Sequence, residues 1–277
     1  MSERIDAHHH LWRYTQEDYG WIGQGMEMLA RDFLPADLEK ELKASGIDGC
    51  VAVQALQNIE ETEWLLSLAS ESRAIRGVVG WAPISSPELA GIVEKWSDQK
   101  KLKGLRHMIQ DEPDEEFIHG QDFNRGIASL AGTGLVYDIL IYERHLAAAI
   151  SFVDRHPNQV FVLDHIAKPR IKAQLIEPWR KNMYELALRG NVYCKLSGMV
   201  TEADWQNWTV GDLRPYSDVV LSAFGPKRLM FGSDWPVCLL AVGYRKWFDT
   251  ASGLIAELSR DEQELVLGEV ARAVYSC

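Results

Sequence analysis

The chain has 277 residues, 47% of them hydrophobic, enough to bury one large core; barrels of about this length commonly form a single domain. Its net charge of -11 argues against a nucleic-acid partner, because phosphate backbones are gripped by clusters of Lys and Arg. No uncharged apolar run approaches the roughly 20 residues that span a bilayer, and no apolar signal segment precedes the first strand-like run.

From the N-terminus, strand-like and helix-like stretches alternate. Short apolar runs of the kind expected for parallel strands buried on both faces occupy residues 4–10, 49–54, 75–81, 102–109, 135–141, 159–165, 191–197 and 229–233. Between them, apolar residues recur at three- and four-residue spacing over 60–71, 143–155, 177–188, 216–224 and 245–258. A further helix at 35–44 starts with a proline suited to a first turn and stops before Gly46, and 261–275 closes the chain. This alternation predicts an α/β fold, a single-domain (β/α)₈ TIM barrel over residues 1–277, with its chemistry at the C-terminal ends of the strands. Two irregular insertions follow strands one and seven: residues 11–33, with Trp12, Tyr14, Tyr19 and Trp21, and residues 204–215, with Trp205 and Trp208. Aromatic residues in such loops are placed to close over a ring-shaped ligand or to anchor the loops themselves.

Polar residues gather where the predicted strands end. Strand one supplies His8 and His10, whose alternation puts both on one face while His9 turns away. Strand two ends in Gln54, with Gln57 beyond it, and strand four carries Arg106 and His107, of which Arg106 is the better candidate to face inward. Strand five gives Asp138 and Tyr142, strand six Asp164 and His165 with Lys168 close by, strand seven Lys195, and strand eight Asp234. A barrel core has no structural need for ionisable strand ends, and burying them unpaired is costly. Closing the last strand on the first would bring Asp234 to His8 and His10, an arrangement suited to a hydrolytic metal or to a water-activating group. His119, His145 and His156 fall in loops or helices and read as surface residues. The cysteines Cys50, Cys194, Cys238 and Cys277 show no CxxC spacing and read as free thiols of a soluble, cytoplasmic enzyme.

At these residues the chain resembles the amidohydrolase superfamily, and more closely its amidohydrolase-2-like lactonase group, which includes sugar-lactone hydrolases of the L-fuconolactonase and L-rhamnonolactonase type. The resemblance runs nearly end to end. It rests on Asp-Ala-His-His-His-Leu-Trp at 6–12, Arg-Asp-Phe-Leu-Pro-Ala-Asp-Leu at 31–38, Lys-Gly-Leu-Arg-His at 103–107, Leu-Asp-His-Ile-Ala-Lys-Pro at 163–169, Asn-Val-Tyr-Cys-Lys-Leu-Ser-Gly at 191–198 and Met-Phe-Gly-Ser-Asp-Trp-Pro-Val-Cys at 230–238. The sequence departs from binuclear members of the superfamily: strand five offers no histidine and only His165 follows, so a two-metal centre is not expected. His8, His10, His165 and Asp234 remain as ligands for one divalent ion, Zn²⁺ or Mn²⁺. A lactone carbonyl is electrophilic enough for the reaction also to run without that ion.

The resemblance implies hydrolytic opening of a sugar lactone, L-fucono- or a related aldonolactone, to the aldonic acid. Asp234 would act as general base on water, with His8, His10 and His165 polarising the carbonyl. Arg106, Lys195 and Gln54 would contact lactone oxygens, and Trp12, Tyr19 or Trp21 would pack against the sugar face. Three rivals differ in what they require. Hydrolysis of an aromatic dicarboxylate lactone needs several cationic anchors, non-oxidative decarboxylation needs the metal absolutely, and a non-catalytic sugar-binding barrel leaves Asp234 without a task. The expected partner is a small-molecule lactone, with no nucleic acid and no membrane, and nothing in the sequence fixes an oligomeric state.

Overall fold

A computed structural model describes residues 2–277. Eight parallel strands follow one another in sheet order: β1 (Ile5–His9), β2 (Gly49–Val53), β3 (Ile75–Gly80), β4 (Leu102–His107), β5 (Val136–Ile139), β6 (Phe161–Leu163), β7 (Val192–Leu196) and β8 (Leu229–Phe231). Just beyond the C-terminal end of β8 the barrel closes on β1: Asp234 N–H donates to the His8 carbonyl (2.8 Å) and His10 N–H to the Trp235 carbonyl (2.7 Å). This is the (β/α)₈ barrel that the sequence predicts, with all eight strands at the expected places.

Helices α1 (Pro35–Ser45), α2 (Ile59–Glu71), α3 (Leu89–Lys95), α4 (Gln121–Leu130), α5 (Leu146–Arg155), α6 (Trp179–Ala187), α7 (Val210–Phe224) and α8 (Tyr244–Leu254) pack outside the strands. Two of them, α3 and α4, lie in stretches where no helix is expected from the apolar spacing. The expected loop at 204–215 also needs correction, because α7 begins at Val210 and contains Pro215. Thr209 and Asp212 form a capping box that starts this helix upstream of the proline. The closing helix expected at 261–275 is three pieces: α9 (Arg260–Glu264), a π-turn over Leu265–Glu269 and α10 (Val270–Val274). No helix among the described residues is long and apolar enough to cross a membrane.

Two apolar layers result. The larger lies between strands and helices and includes Cys50, Ala52, Leu105, Tyr137, Phe161 and Leu196. The smaller fills the barrel's interior with Ile5, Ala7, Val51, Val53, Val79, Val136, Val162 and Met230, and Val270, Ala271 and Tyr275 plug it from below. Cys50, Cys194 and Cys238 are buried free thiols.

The N-terminal strand and the C-terminal helix meet at one glycine. A Cβ on Gly268 would come within 2.0 Å of the Glu3 carbonyl oxygen and 3.1 Å of Arg4 Cα, and both neighbours are backbone that cannot swing aside. Gly268→Ala should therefore lower the unfolding free energy by about 1–3 kcal/mol, read as a shifted urea midpoint with an unchanged slope.

Candidate active site

The floor of the site is a lattice of buried charges across the barrel. Lys195 on β7 reaches Asp138 Oδ2 (2.5 Å), Asp164 Oδ1 (2.9 Å) and His8 Nδ1 (3.1 Å). Asp138 also accepts from the Tyr275 hydroxyl at 2.9 Å. On the other side, Arg106 pairs with Asp164 Oδ2 at 2.9 Å and donates to the Gln54 main-chain oxygen, with Gln54 Oε1 at 3.4 Å. Of the two candidates on β4, Arg106 faces inward. His107 instead bonds Trp81 and Glu112 at the barrel's rim.

His8 and His10 stand above this floor because β1 is not a regular strand. Ile5 and Ala7 already face the interior, so strict alternation would turn His8 outward. Between Asp6 and His9 the pairing with β2 slips, three steps on β1 facing two on β2, which is a β-bulge. Asp6 holds it: its Oδ1 accepts from the His8 N–H (3.1 Å) and the Ser233 N–H (2.8 Å), and its Oδ2 from the Tyr244 hydroxyl (2.9 Å). Burial pushes the Asp6 carboxyl up to about 6 despite these donors. His9 turns away as expected and is sealed without a hydrogen-bond partner, its pKa driven down to about 3 mainly by burial.

His165 is presented by an unusual backbone. Four successive residues after β6, His165 to Lys168, have φ of 51°, 49°, 60° and 46°, a left-handed turn that costs about 1–2 kcal/mol per residue for L-amino acids. The turn is tied down by Trp179 Nε1 donating to the Ile166 carbonyl (2.7 Å) and Lys168 N–H to the His165 carbonyl (2.8 Å). Ser197 Oγ meets His165 Nδ1 at 2.9 Å and orients the ring. Asp234 also has positive φ, 56°.

These turns converge on one carboxylate oxygen. Asp234 Oδ1 lies 3.4 Å from His10 Nε2 and 3.8 Å from Nε2 of both His8 and His165. Burial works against the charge on Asp234, but His165, His10 and Lys168 outweigh it and hold its pKa below the usual carboxylate range. Burial drives His165 down to about 4 and His8 well below its ordinary value. At neutral pH the centre therefore sets the Asp234 carboxylate beside the neutral imidazoles of His8 and His165. Asp234, His10 and His165 keep 3–6% exposure, whereas His8 and Lys195 keep none, so the first three form the face that a ligand can touch.

The same atoms suit one divalent cation. Ligand atoms of His8, His10 and Asp234 lie within 4.8 Å of one another, all buried, and imidazole nitrogen with carboxylate oxygen is a Zn²⁺ donor set. The Val53 carbonyl accepts from His10 Nδ1 at 2.9 Å, which leaves a lone pair on Nε2 facing the cluster.

All of the expected catalytic residues, His8, His10, His165 and Asp234, thus meet at one point. Arg106, Lys195 and Gln54 sit one layer below them, with partners within the protein. Trp12 and Tyr19 are buried against each other, with ring centroids 5.3 Å apart, at the base of the 11–33 loop; Trp12 lies 6.5 Å from the His10 ring. Trp21 stands 47% exposed beside them. Sequence reasoning named Asp164 among the polar strand ends without giving it a task, and passed over Asp6 and Ser197. Ser197 lies two residues beyond Lys195, just past the end of β7, so a same-face reading had the signal for it.

A Cβ on Gly198, at φ +64°, would lie 2.6 Å from His165 Nδ1. Gly198→Ala should lower the unfolding free energy by about 1–3 kcal/mol in urea denaturation. Gly190→Ala, where nothing lies within 4 Å, should leave it unchanged.

The amidohydrolase family model matches residues 5–277. An L-fucono-1,5-lactonase of Burkholderia multivorans is 43% identical over 288 residues, covering 99% of this chain and 96% of the relative. An L-fucono-1,5-lactonase of Burkholderia ambifaria is 39% identical, covering 87% of this chain and 83% of the relative. A crystal structure of an amidohydrolase from Burkholderia multivorans with bound Zn superposes with a TM-score of 0.95 at 43% identity over 99% of each chain. The chain belongs to the amidohydrolase family.

Proposed function

We propose that this protein hydrolyses a sugar lactone of the L-fucono-1,5-lactone class to its aldonic acid. The observation that carries the reading is Asp234: a carboxylate kept ionised, at the accessible face of the site, with three imidazoles within 3.8 Å of one oxygen. The full-length 43% identity to an L-fucono-1,5-lactonase supports the substrate class.

The chemistry follows from the charges. Asp234 takes a proton from water as the water oxygen bonds to the lactone carbonyl carbon. The imidazole of His165, oriented by Ser197 at Nδ1, faces the carbonyl oxygen with Nε2, where N–H donation stabilises the developing oxyanion. When the tetrahedral centre collapses, the bond to the ring oxygen breaks, and Asp234 returns its proton to that oxygen. The products are the aldonate and the freed hydroxyl. A divalent ion held by His8, His10 and Asp234 would, when bound, supply Lewis-acid polarisation of the carbonyl.

Arg106, Lys195 and Gln54 act in this reading from beneath. Both cations are neutralised by Asp138 and Asp164, so the floor favours a neutral lactone over an aromatic dicarboxylate. Trp21, with its exposed ring, is the aromatic placed to meet the sugar face, while Trp12 and Tyr19 support it from below.

A pH-indicator assay over a panel of aldonolactones tests the reading. Acid release should be greatest with L-configured deoxy-sugar lactones, and Asp234→Asn should lower kcat by about 10²–10⁴-fold while substrate still binds. No acid release from any sugar lactone, or full turnover by Asp234→Asn, would sink it.

A further inference from the structure

The His8 ring lies between two sets of neighbours that ask for opposite tautomers. Lys195 Nζ, a donor only, meets Nδ1 at 3.1 Å, which requires a lone pair there and places the ring hydrogen on Nε2. That hydrogen then points at His10 Nε2, 3.2 Å away, which is an acceptor because the other nitrogen of His10 donates to Val53. The opposite tautomer would put the hydrogen on Nδ1, facing Asp164 Oδ1 at 3.3 Å, and a lone pair on Nε2, with Arg106 Nη1 at 3.5 Å. The second pair of contacts is the longer one. Asp164 Oδ1 is also a buried carboxylate oxygen that receives no aligned hydrogen bond.

Only the second tautomer can bind a metal, since an imidazole ligates through a lone pair and Nε2 is the nitrogen beside His10 and Asp234. We propose that Lys195 is a positioning residue that holds the His8 hydrogen on Nε2 and thereby sets the site against divalent cations. Binding an ion requires the hydrogen to leave Nε2 and reappear on Nδ1, where Asp164 Oδ1, 3.3 Å away, accepts it and Lys195 gives up its contact with His8. No net proton is gained or lost. Lys195 also brings a positive charge within 3.1 Å of a ligand ring, held there by hydrogen bonds to His8 and Asp138 and by an ion pair with Asp164. The inference rests on the reading of His8, His10 and Asp234 as the reacting cluster.

Zn²⁺ affinity, measured by equilibrium dialysis on metal-free protein, tests it without substrate. The double variant Lys195→Gln with Asp138→Asn removes one charge of each sign and puts an amide, which can accept from Nδ1–H, beside His8. It should bind Zn²⁺ about 10–100-fold more tightly than the unaltered chain. Unchanged or weaker binding by the folded variant would overturn the proposal. Should the variant not fold, two-bond ¹⁵N–¹H correlation of the histidine rings in the unaltered, metal-free protein decides. The His8 hydrogen is expected on Nε2, and finding it on Nδ1 would overturn the proposal. Neither readout involves turnover, so a failed lactone assay and a failed metal measurement point to different errors.

Discussion

The constraint on which the rest depends is the ion lattice in the barrel floor. Lys195, Asp138, Asp164 and Arg106 lie in a buried layer, and each is tolerable only because the others are there. Removing one partner of such a lattice strands a buried charge at a cost of about 3–5 kcal/mol, whereas a fully apolar floor would do as well for stability. The lattice is therefore better explained by what it does to the residues above it. It keeps Asp164 ionised well below the usual carboxylate range against the opposition of burial, while burial, opposed by Asp164 and helped by Lys195, keeps His8 neutral.

The polar layer also links the two ends of the chain. Tyr275, two residues before Cys277, rises through the barrel base to donate to Asp138, and Asp138 holds Lys195. At the other end Asp6 ties the β1 bulge to Ser233 and Tyr244. Backbone geometry that is costly in isolation, the bulge and the left-handed turn at His165, occurs where a histidine must be aimed. Fold and site are thus one hydrogen-bonded unit, in which the barrel closure at His8 and Asp234 is also the contact that assembles the reacting groups.

Much of this was legible in the sequence. Eight short apolar runs, six of them carrying ionisable residues at or near their ends, predicted the barrel and the place of its chemistry, because burial of both strand faces leaves that signature. What was not legible was local. The α3 helix is only seven residues long, too short to show a period, and Pro215 reads as a helix stop although the capping box at Thr209 has already nucleated α7. The alternation that put His8 and His10 on one face is right in outcome for a different reason, since it depends on a bulge that Asp6 creates. Arg106 and Lys195 read as substrate contacts because a lone cation at a strand end looks free. Their partners Asp138 and Asp164 come from strands adjacent only in space.

The most direct test of the account is the pH dependence of kcat/KM for a sugar lactone, which reports the ionisations of the free protein. Burial keeps His165 neutral down to about 4, and the imidazoles and Lys168 keep Asp234 charged below the usual carboxylate range. Both groups therefore hold their working forms from neutral pH downward, and kcat/KM should stay level until an acid limb near pH 4. A limb centred near 6.5, the ordinary histidine value, would mean that a solvent-like imidazole is the base, and would contradict the assignment of that role to Asp234.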